Sequence, residues 1–243
     1  MTTKPLYASD AYLTQCASVV VDITAEGIFL SETVFYPLGG GQAGDAGMLV
    51  TEGGETLFIA DTRKTREGIY LGETAHVPAD GQHDILSRLR KGDKVQARID
   101  WEKRLRHMRL HTASHVAGAI LGIETDGCSV TSAHARLDFV TTDPIDPEML
   151  NHALEQVVIA GREVTLELTS VNEIERQPEL LATVGSNLPV SDDAVRLVHI
   201  VGLDLQPCAG THVRNTREIG GVRVKKIEKK SSRTRRVTLE LIN

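Results

Sequence analysis

Arg104-Leu105-Arg106-His107-Met108-Arg109-Leu110-His111-Thr112-Ala113-Ser114-His115-Val116-Ala117-Gly118-Ala119-Ile120-Leu121-Gly122 is the stretch on which the fold turns. It contains no proline, and Leu110, Ala113, Ala117, Ile120 and Leu121 recur at helical spacing, so it reads as a helix with one apolar stripe. His111 and His115 are four residues apart and therefore stack on one side, about a third of a turn from the centre of that stripe. His107 lies on the same side as a rival ligand or as a donor behind the ligands. A histidine pair at this spacing can equally cap or fill a helix, so two imidazoles alone do not define a site.

A second pair strengthens the first. Cys208 and His212, in Cys208-Ala209-Gly210-Thr211-His212, repeat the four-residue spacing about ninety residues later. Three imidazoles and one thiolate form a donor set suited to a tetrahedral zinc ion. Two ligand pairs so far apart in sequence would pin the fold around the metal.

The chain divides near residue 100. Before it, short β-prone runs at Ser18–Ile23, Ile28–Phe35, Thr56–Ile59, Gly68–Leu71 and Lys94–Ile99 are broken by Gly, Asp and Thr, the pattern of a small antiparallel barrel. After it the histidine helix leads to a strand near Ala133–Val140. The prolines of Asp143-Pro144-Ile145-Asp146-Pro147 then start a helix over Glu148–Gly161. Strands are expected at Glu163–Ser170, Val195–Ile200, Gly221–Lys226 and Arg235–Leu241, with a short helix near Asn172–Leu181. The expected class is α+β: a barrel domain over 1–100 and a two-layer α+β domain over 101–243.

Composition sets bounds on function. A chain of 243 residues buries a full core, and no window holds the roughly 18 apolar residues that span a bilayer. Met1-Thr2-Thr3-Lys4-Pro5-Leu6-Tyr7 lacks an apolar leader core, so a soluble cytoplasmic protein is expected. Cys16, Cys128 and Cys208 are odd in number and widely spaced, which argues against a disulfide framework; Cys16 and Cys128 read as packing residues. The net charge of −6 is unevenly distributed. Residues 214–236 hold ten Lys and Arg against two acids, Glu218 and Glu228, and Lys103, Arg104, Arg106 and Arg109 precede the histidine pair. Any charge run can be a plain solvated face, but both of these flank the proposed ligands, as a path for phosphates would. Few aromatics are present, so base stacking is not expected to dominate RNA binding.

Gly39-Gly40-Gly41-Gln42 is neither a phosphate-binding loop nor a dinucleotide fingerprint, and no nucleotide cofactor is expected. It reads either as a flexible turn or as backbone that a partner approaches closely. Its surroundings, Phe35-Tyr36-Pro37-Leu38-Gly39-Gly40-Gly41-Gln42-Ala43-Gly44-Asp45, resemble the glycine-rich motif of the free-standing alanyl-tRNA editing proteins, the AlaX type, and of the editing domain of alanyl-tRNA synthetase. The run from Arg106 to His115 is similar to that family's first zinc motif. Gly202-Leu203-Asp204-Leu205-Gln206-Pro207-Cys208-Ala209-Gly210-Thr211-His212-Val213, followed by Glu218-Ile219-Gly220, is similar to its second. The resemblance covers nearly the whole chain. Departures are Ala209 for a usual glycine, Ala43 for a frequent proline, and Ser231-Ser232 for a Lys-Gly turn before Arg235-Arg236-Val237. None removes a presumed ligand.

The resemblance implies a barrel like those of translation proteins and a zinc ion held by His111, His115, Cys208 and His212. It implies that Gly39, Gly40, Gly41 and Gln42 face the substrate. The expected activity is hydrolysis of the aminoacyl ester of mischarged tRNA(Ala), removing serine, with glycine as a further candidate. Arg104, Arg106, Arg109, Lys225, Lys226, Arg235 and Arg236 are the expected tRNA contacts. The catalytic group is open, with Thr131, Ser132, Asp204, Gln206 and Thr211 as candidates, and Ser129 joins Thr131 and Ser132 as a hydroxyl for recognising serine. Four protein ligands resemble a closed structural zinc site, so a non-catalytic tRNA-binding module is the rival reading. A zinc hydrolase acting on a small ester or amide would not need the basic strip. No membrane partner is expected, and a monomer is favoured.

Overall fold

A computed structural model describes residues 3–66, 71–176, 190–191 and 194–242. It is a mixed α and β chain with two compact units, Met1–Gly39 with Ala43–Arg104, and Gly40–Gln42 with Leu105–Asn243.

The first unit is a closed barrel of six strands: β1 (Gln15–Thr24), β2 (Gly27–Leu30), β3 (Gly47–Thr51), β4 (Thr56–Lys64), β5 (Thr74–Pro78) and β6 (Lys94–Ile99), in the order β1-β2-β5-β4-β3-β6. Closure leaves no unpaired edge. Strand β6 shows how the sequence builds it, with Val95, Ala97 and Ile99 buried while Lys94 and Arg98 face out. Leu57 and Ile59 of β4 fill the same interior. Glycine is required at position 47, where a Cβ would sit 2.1 Å from the Arg98 carbonyl oxygen.

Arg104 is fully buried in this unit, and this overturns its expected role as a phosphate contact. Its Nε donates to both Asp45 oxygens at 3.1 and 3.0 Å, and Nη1 and Nη2 donate to the carbonyls of Ala11 (2.8 Å) and Val34 (2.7 Å). Asp45 also accepts from the Tyr36 amide at 2.6 Å. The pair thus ties the glycine-rich segment to the first turn of the long helix.

That helix, α1, spans Trp101–Leu121, longer at its start than the periodicity suggests. Asp100 caps it by accepting from the Lys103 amide at 3.0 Å, and Gly122 ends it with φ of 59°. The single-stripe expectation needs correction. Met108, Leu110, Ala113, Val116 and Ala117 are fully buried, but so are His107 and Thr112, with Ser114 nearly so, whereas Ile120 and Leu121 are half-buried.

The rest of the second unit holds two antiparallel sheets. The larger runs β12 (Val222–Lys229), β13 (Thr234–Leu241), β8 (Ala135–Val140) and β7 (Thr125–Val130), and α2 (Pro147–Ala160) packs on β12. Asp146 caps α2 by accepting from the Glu148 and Met149 amides, Pro147 opens it and Gly161, at φ 66°, closes it. In the smaller sheet β10 (Ala194–Ile200) pairs with β9 (Val164–Ser170) and with β11 (Asp204–Pro207).

Strands β3, β5, β7 and β11 were not legible in the sequence. Thr125-Asp126-Gly127-Cys128-Ser129-Val130 has little β propensity, and pairing with β8 is what makes it a strand. The run expected over Ile28–Phe35 ends at Leu30, with a separate two-residue strand at Glu32–Thr33. Most of the Gly68–Leu71 strand, and the end of the Asn172–Leu181 helix, lie outside the described residues; Val171–Glu175 is helical. Among the described residues no helix is long and apolar enough to cross a membrane.

Candidate metal centre

Helix α1 supplies His111 and His115, and the turn after β11 supplies Cys208 and His212. Their four donor atoms all lie within 4.8 Å of one another, and all four residues are buried. Cys208 Sγ stands 3.6 Å from His111 Nε2 and 3.4 Å from His212 Nε2. A tetrahedral ion with ordinary zinc–sulfur and zinc–nitrogen bonds separates such ligands by about 3.6 Å. The donor set and spacing therefore fit a metal ion.

Each imidazole is tied on the side away from the thiolate. His111 Nδ1 donates to Gln42 Oε1 at 2.9 Å, His212 Nδ1 meets Thr112 Oγ1 at 3.2 Å, and His115 Nδ1 meets Asp204 Oδ2 at 3.1 Å. A proton held at Nδ1 leaves Nε2 as the free lone pair, the tautomer a metal needs. Gln206 supports Asp204, donating from Nε2 to Oδ2 at 2.7 Å. Burial alone would raise the Cys208 thiol, but the facing His111 and His212 rings outweigh it and hold the group well below its ordinary range. Burial opposes a charge on His115, yet Asp204 and Cys208 lift it to about 9. Burial, reinforced by His111, pushes His212 well down.

The glycine-rich loop belongs to this centre through its last residues. Gln42 is fully buried; its Nε2 donates to Thr211 Oγ1 and its Oε1 accepts the Thr211 amide, both at 2.9 Å. Gly41 takes φ of 79°, and a Cβ there would lie 2.6 Å from the Cys128 carbonyl oxygen. Its own carbonyl accepts from Val130 N at 2.7 Å, fastening the loop to the end of β7. Gly210 is required for a different reason, because a Cβ would fall 2.0 Å from His111 Cε1. Gly40 shares the positive-φ backbone, and Gly39 accepts the Tyr36 hydroxyl at 2.8 Å.

The other sequence candidates are distributed unevenly. Asp204, Gln206 and Thr211 come to the ligands; His107, though buried on α1, is not among the four. Thr131 is occupied by its own turn, donating to the His134 carbonyl at 3.0 Å and accepting the Ala133 and His134 amides. Ser132 offers its carbonyl to Arg106 Nε at 2.6 Å, and Arg109 Nε donates to Ile219 O at 2.7 Å. Cys128 is exposed rather than packed, and Cys16 is half-buried. Thr112 and Arg196 were not singled out in the sequence. Arg196 Nη1 donates to the carbonyls of Cys208 (2.9 Å) and Gly210 (2.7 Å), bracing the turn that carries the thiolate. No local signal marks that arginine.

The basic strip carries more acid than its own sequence holds. Asp138 pairs with Arg236 and Lys230, each at 2.7 Å; Glu240 pairs with Arg223 (2.7 Å) and Lys225 (2.9 Å); Glu228 pairs with Lys226 at 2.8 Å. Arg235 bonds the Thr142 carbonyl.

Fold and site together define a barrel protein with a buried metal-type centre, and a segment of each unit matches a tRNA synthetase family. Residues 195–238 match the threonyl and alanyl tRNA synthetase second additional domain, and residues 9–103 match class II (A) tRNA synthetases. The alanyl-tRNA editing protein AlaX-M of Methanosarcina acetivorans is 32% identical over 99% of this chain and 100% of its own. That of Saccharolobus solfataricus is 33% identical over 97% of each chain. The alanine–tRNA ligase of Sulfurisphaera tokodaii is 33% identical over 93% of this chain but only 25% of the ligase. The chain belongs to the AlaX-type alanyl-tRNA editing protein family.

Proposed function

We propose that the chain is a trans-editing hydrolase that binds mischarged tRNA(Ala) and cleaves the aminoacyl ester, with serine as the residue removed and glycine as a second substrate. The observation that supports it most is the buried three-histidine, one-cysteine cluster with every Nδ1 tied outward, in a chain related end to end to editing proteins. We read the second unit as the editing domain, the cofactor as zinc, and the setting as the cytoplasm, where charged tRNA is used.

His111, His115, Cys208 and His212 would hold the ion, which when bound supplies Lewis acidity for the substrate's carbonyl or amino group. The chain's own residues fix the site. Gln42, Thr112 and Asp204 hold the three rings, and Arg196 holds the Cys208–Gly210 backbone, so little reorganises when an ester binds. Selection against alanine rests on polarity. Groups that bond the seryl hydroxyl are left unpaired by alanine's methyl, and such sites can discriminate by about 10⁴. Thr131 is engaged by its own turn, which leaves Ser129 and Ser132 as the hydroxyls that can pair with serine's.

A second reading has one observation in its favour. Four protein donors resemble a closed structural site, as expected of a non-catalytic tRNA-binding module. The deciding experiment is deacylation of seryl-, glycyl- and alanyl-tRNA(Ala), with and without a chelator. The editing reading expects seryl-tRNA to be hydrolysed, alanyl-tRNA to be spared and the activity to fall with chelation. Equal hydrolysis of seryl- and alanyl-tRNA, or hydrolysis of neither, refutes it.

A further inference from the structure

The β12-β13-β8-β7 sheet has one face buried through Leu137, Val237 and Leu239 and one open face. Across the open face the register sets a single row: Ser129 on β7 opposite Arg136 on β8, Arg136 opposite Thr238 on β13, and Thr238 opposite Lys226 on β12. Arg136, Lys226 and Ser129 are exposed, whereas Thr238, between two cations, is only 2% exposed, and its hydroxyl has no hydrogen-bond partner among the described residues. Among the described residues none of the ion pairs on this face includes Arg136, whereas Lys226 is paired with Glu228 at 2.8 Å.

We propose that this row, centred on Arg136 and Thr238, seats a phosphate of the tRNA backbone; the inference rests on tRNA being the partner, as argued above. An arginine fork, an ammonium and a hydroxyl on one patch supply the donors that phosphate oxygens accept. The buried unpartnered hydroxyl is the independent sign, since proteins seldom leave such a group unsatisfied without a ligand. Cation crowding agrees: His134 at the head of β8 is made harder to protonate by burial and by the nearby Arg136, Lys225 and Lys226. The row also leads to the centre. Ser129 precedes Val130, whose amide bonds the Gly41 carbonyl, and Gln42 follows at once with its bond to His111. A backbone phosphate at Arg136 would therefore help set where the acceptor end lies relative to the ligands.

The test is binding of uncharged tRNA(Ala) transcript by the full chain across a salt series. Arg136→Gln should weaken binding about tenfold and lower the salt slope by about one, while Arg136→Lys should recover part of it. Thr238→Val replaces an unpartnered hydroxyl with a methyl of the same shape. It should leave thermal stability unchanged or higher yet weaken tRNA binding several-fold, a combination that a packing role does not produce. Parental affinity and salt slope in both Arg136→Gln and Thr238→Val overturn the proposal. Because the transcript carries no ester, the measurement reads the surface independently of hydrolysis, and a parent that binds tRNA but hydrolyses no seryl-tRNA refutes the editing reading alone.

Discussion

Gln42 Oε1 accepts the Nδ1 proton of His111 at 2.9 Å, joining the glycine-rich loop to the long helix. The same oxygen takes the Thr211 amide, beside His212. One buried amide thus couples the loop to both ligand pairs. The run Gly39-Gly40-Gly41-Gln42, expected to face substrate, contributes at its last position an orienting group for the candidate metal ligands.

Gln42→Leu should therefore lower metal affinity by about 10–100-fold, the usual effect of removing an outer partner of a ligand histidine. Chelator competition measures it. Affinity equal to the parent would show that His111 needs no such support.

Replacing Cys208 or His111 by alanine should lower metal content and thermal stability together, since binding energy at such a site is folding energy. Metal analysis and melting curves on the same samples check this. A double variant that still holds one ion per chain would sink the assignment.

Gly210→Ala places a methyl within 2.0 Å of His111 Cε1. The ring must move, so metal retention should drop. Gly54→Ala is the comparison, because no atom lies within 4 Å of its added Cβ; its φ of 81° makes some backbone strain its only expected cost. Equal metal retention in the two variants would contradict the steric argument.

Arg104→Met should destabilise by about 3–5 kcal/mol, because it strands the buried Asp45 carboxylate. The salt slope of tRNA binding should not change in whatever fraction folds. A soluble variant with parental stability and a reduced slope would restore Arg104 as a phosphate contact.

His76 makes the barrel acid-sensitive. Its ring is buried between Ile28 O (2.9 Å) and Thr33 Oγ1 (2.7 Å), and burial lowers it from 6.5 to about 4 despite the Ile28 carbonyl. Above pH 6.5 the ring is neutral folded and unfolded, so it does not affect stability. As pH falls below 6.5 the unfolded chain takes up the proton first, and stability drops by about 1.4 kcal/mol per unit until the folded ring titrates near 4, roughly 3 kcal/mol in all. Urea midpoints at pH 7 and 4.5 for the parent and His76→Gln measure the difference. Equal losses in both proteins would exclude His76 as a cause.

What the sequence determined by itself was the set of strongly patterned pieces. The alternation of Lys94–Ile99, the proline start of α2 and the two four-residue ligand spacings follow from neighbours close in the chain, because local geometry fixes which side chains share a face. Only the tertiary structure decided what long-range pairing creates. Pairing with β8 makes Thr125–Val130 a strand against its own propensity, burial of Asp45 turns Arg104 from a surface cation into an internal clamp, and Asp138 and Glu240 arrive from elsewhere to pair with Lys230, Arg236, Arg223 and Lys225, four of the ten cations of the basic strip. Likewise Gln42, Thr112 and Asp204 became the partners of three histidines through contacts spanning 69, 100 and 89 residues. Residue spacing can bring two ligands onto one helix, but the groups that orient them are chosen by packing between distant segments, which no local pattern encodes.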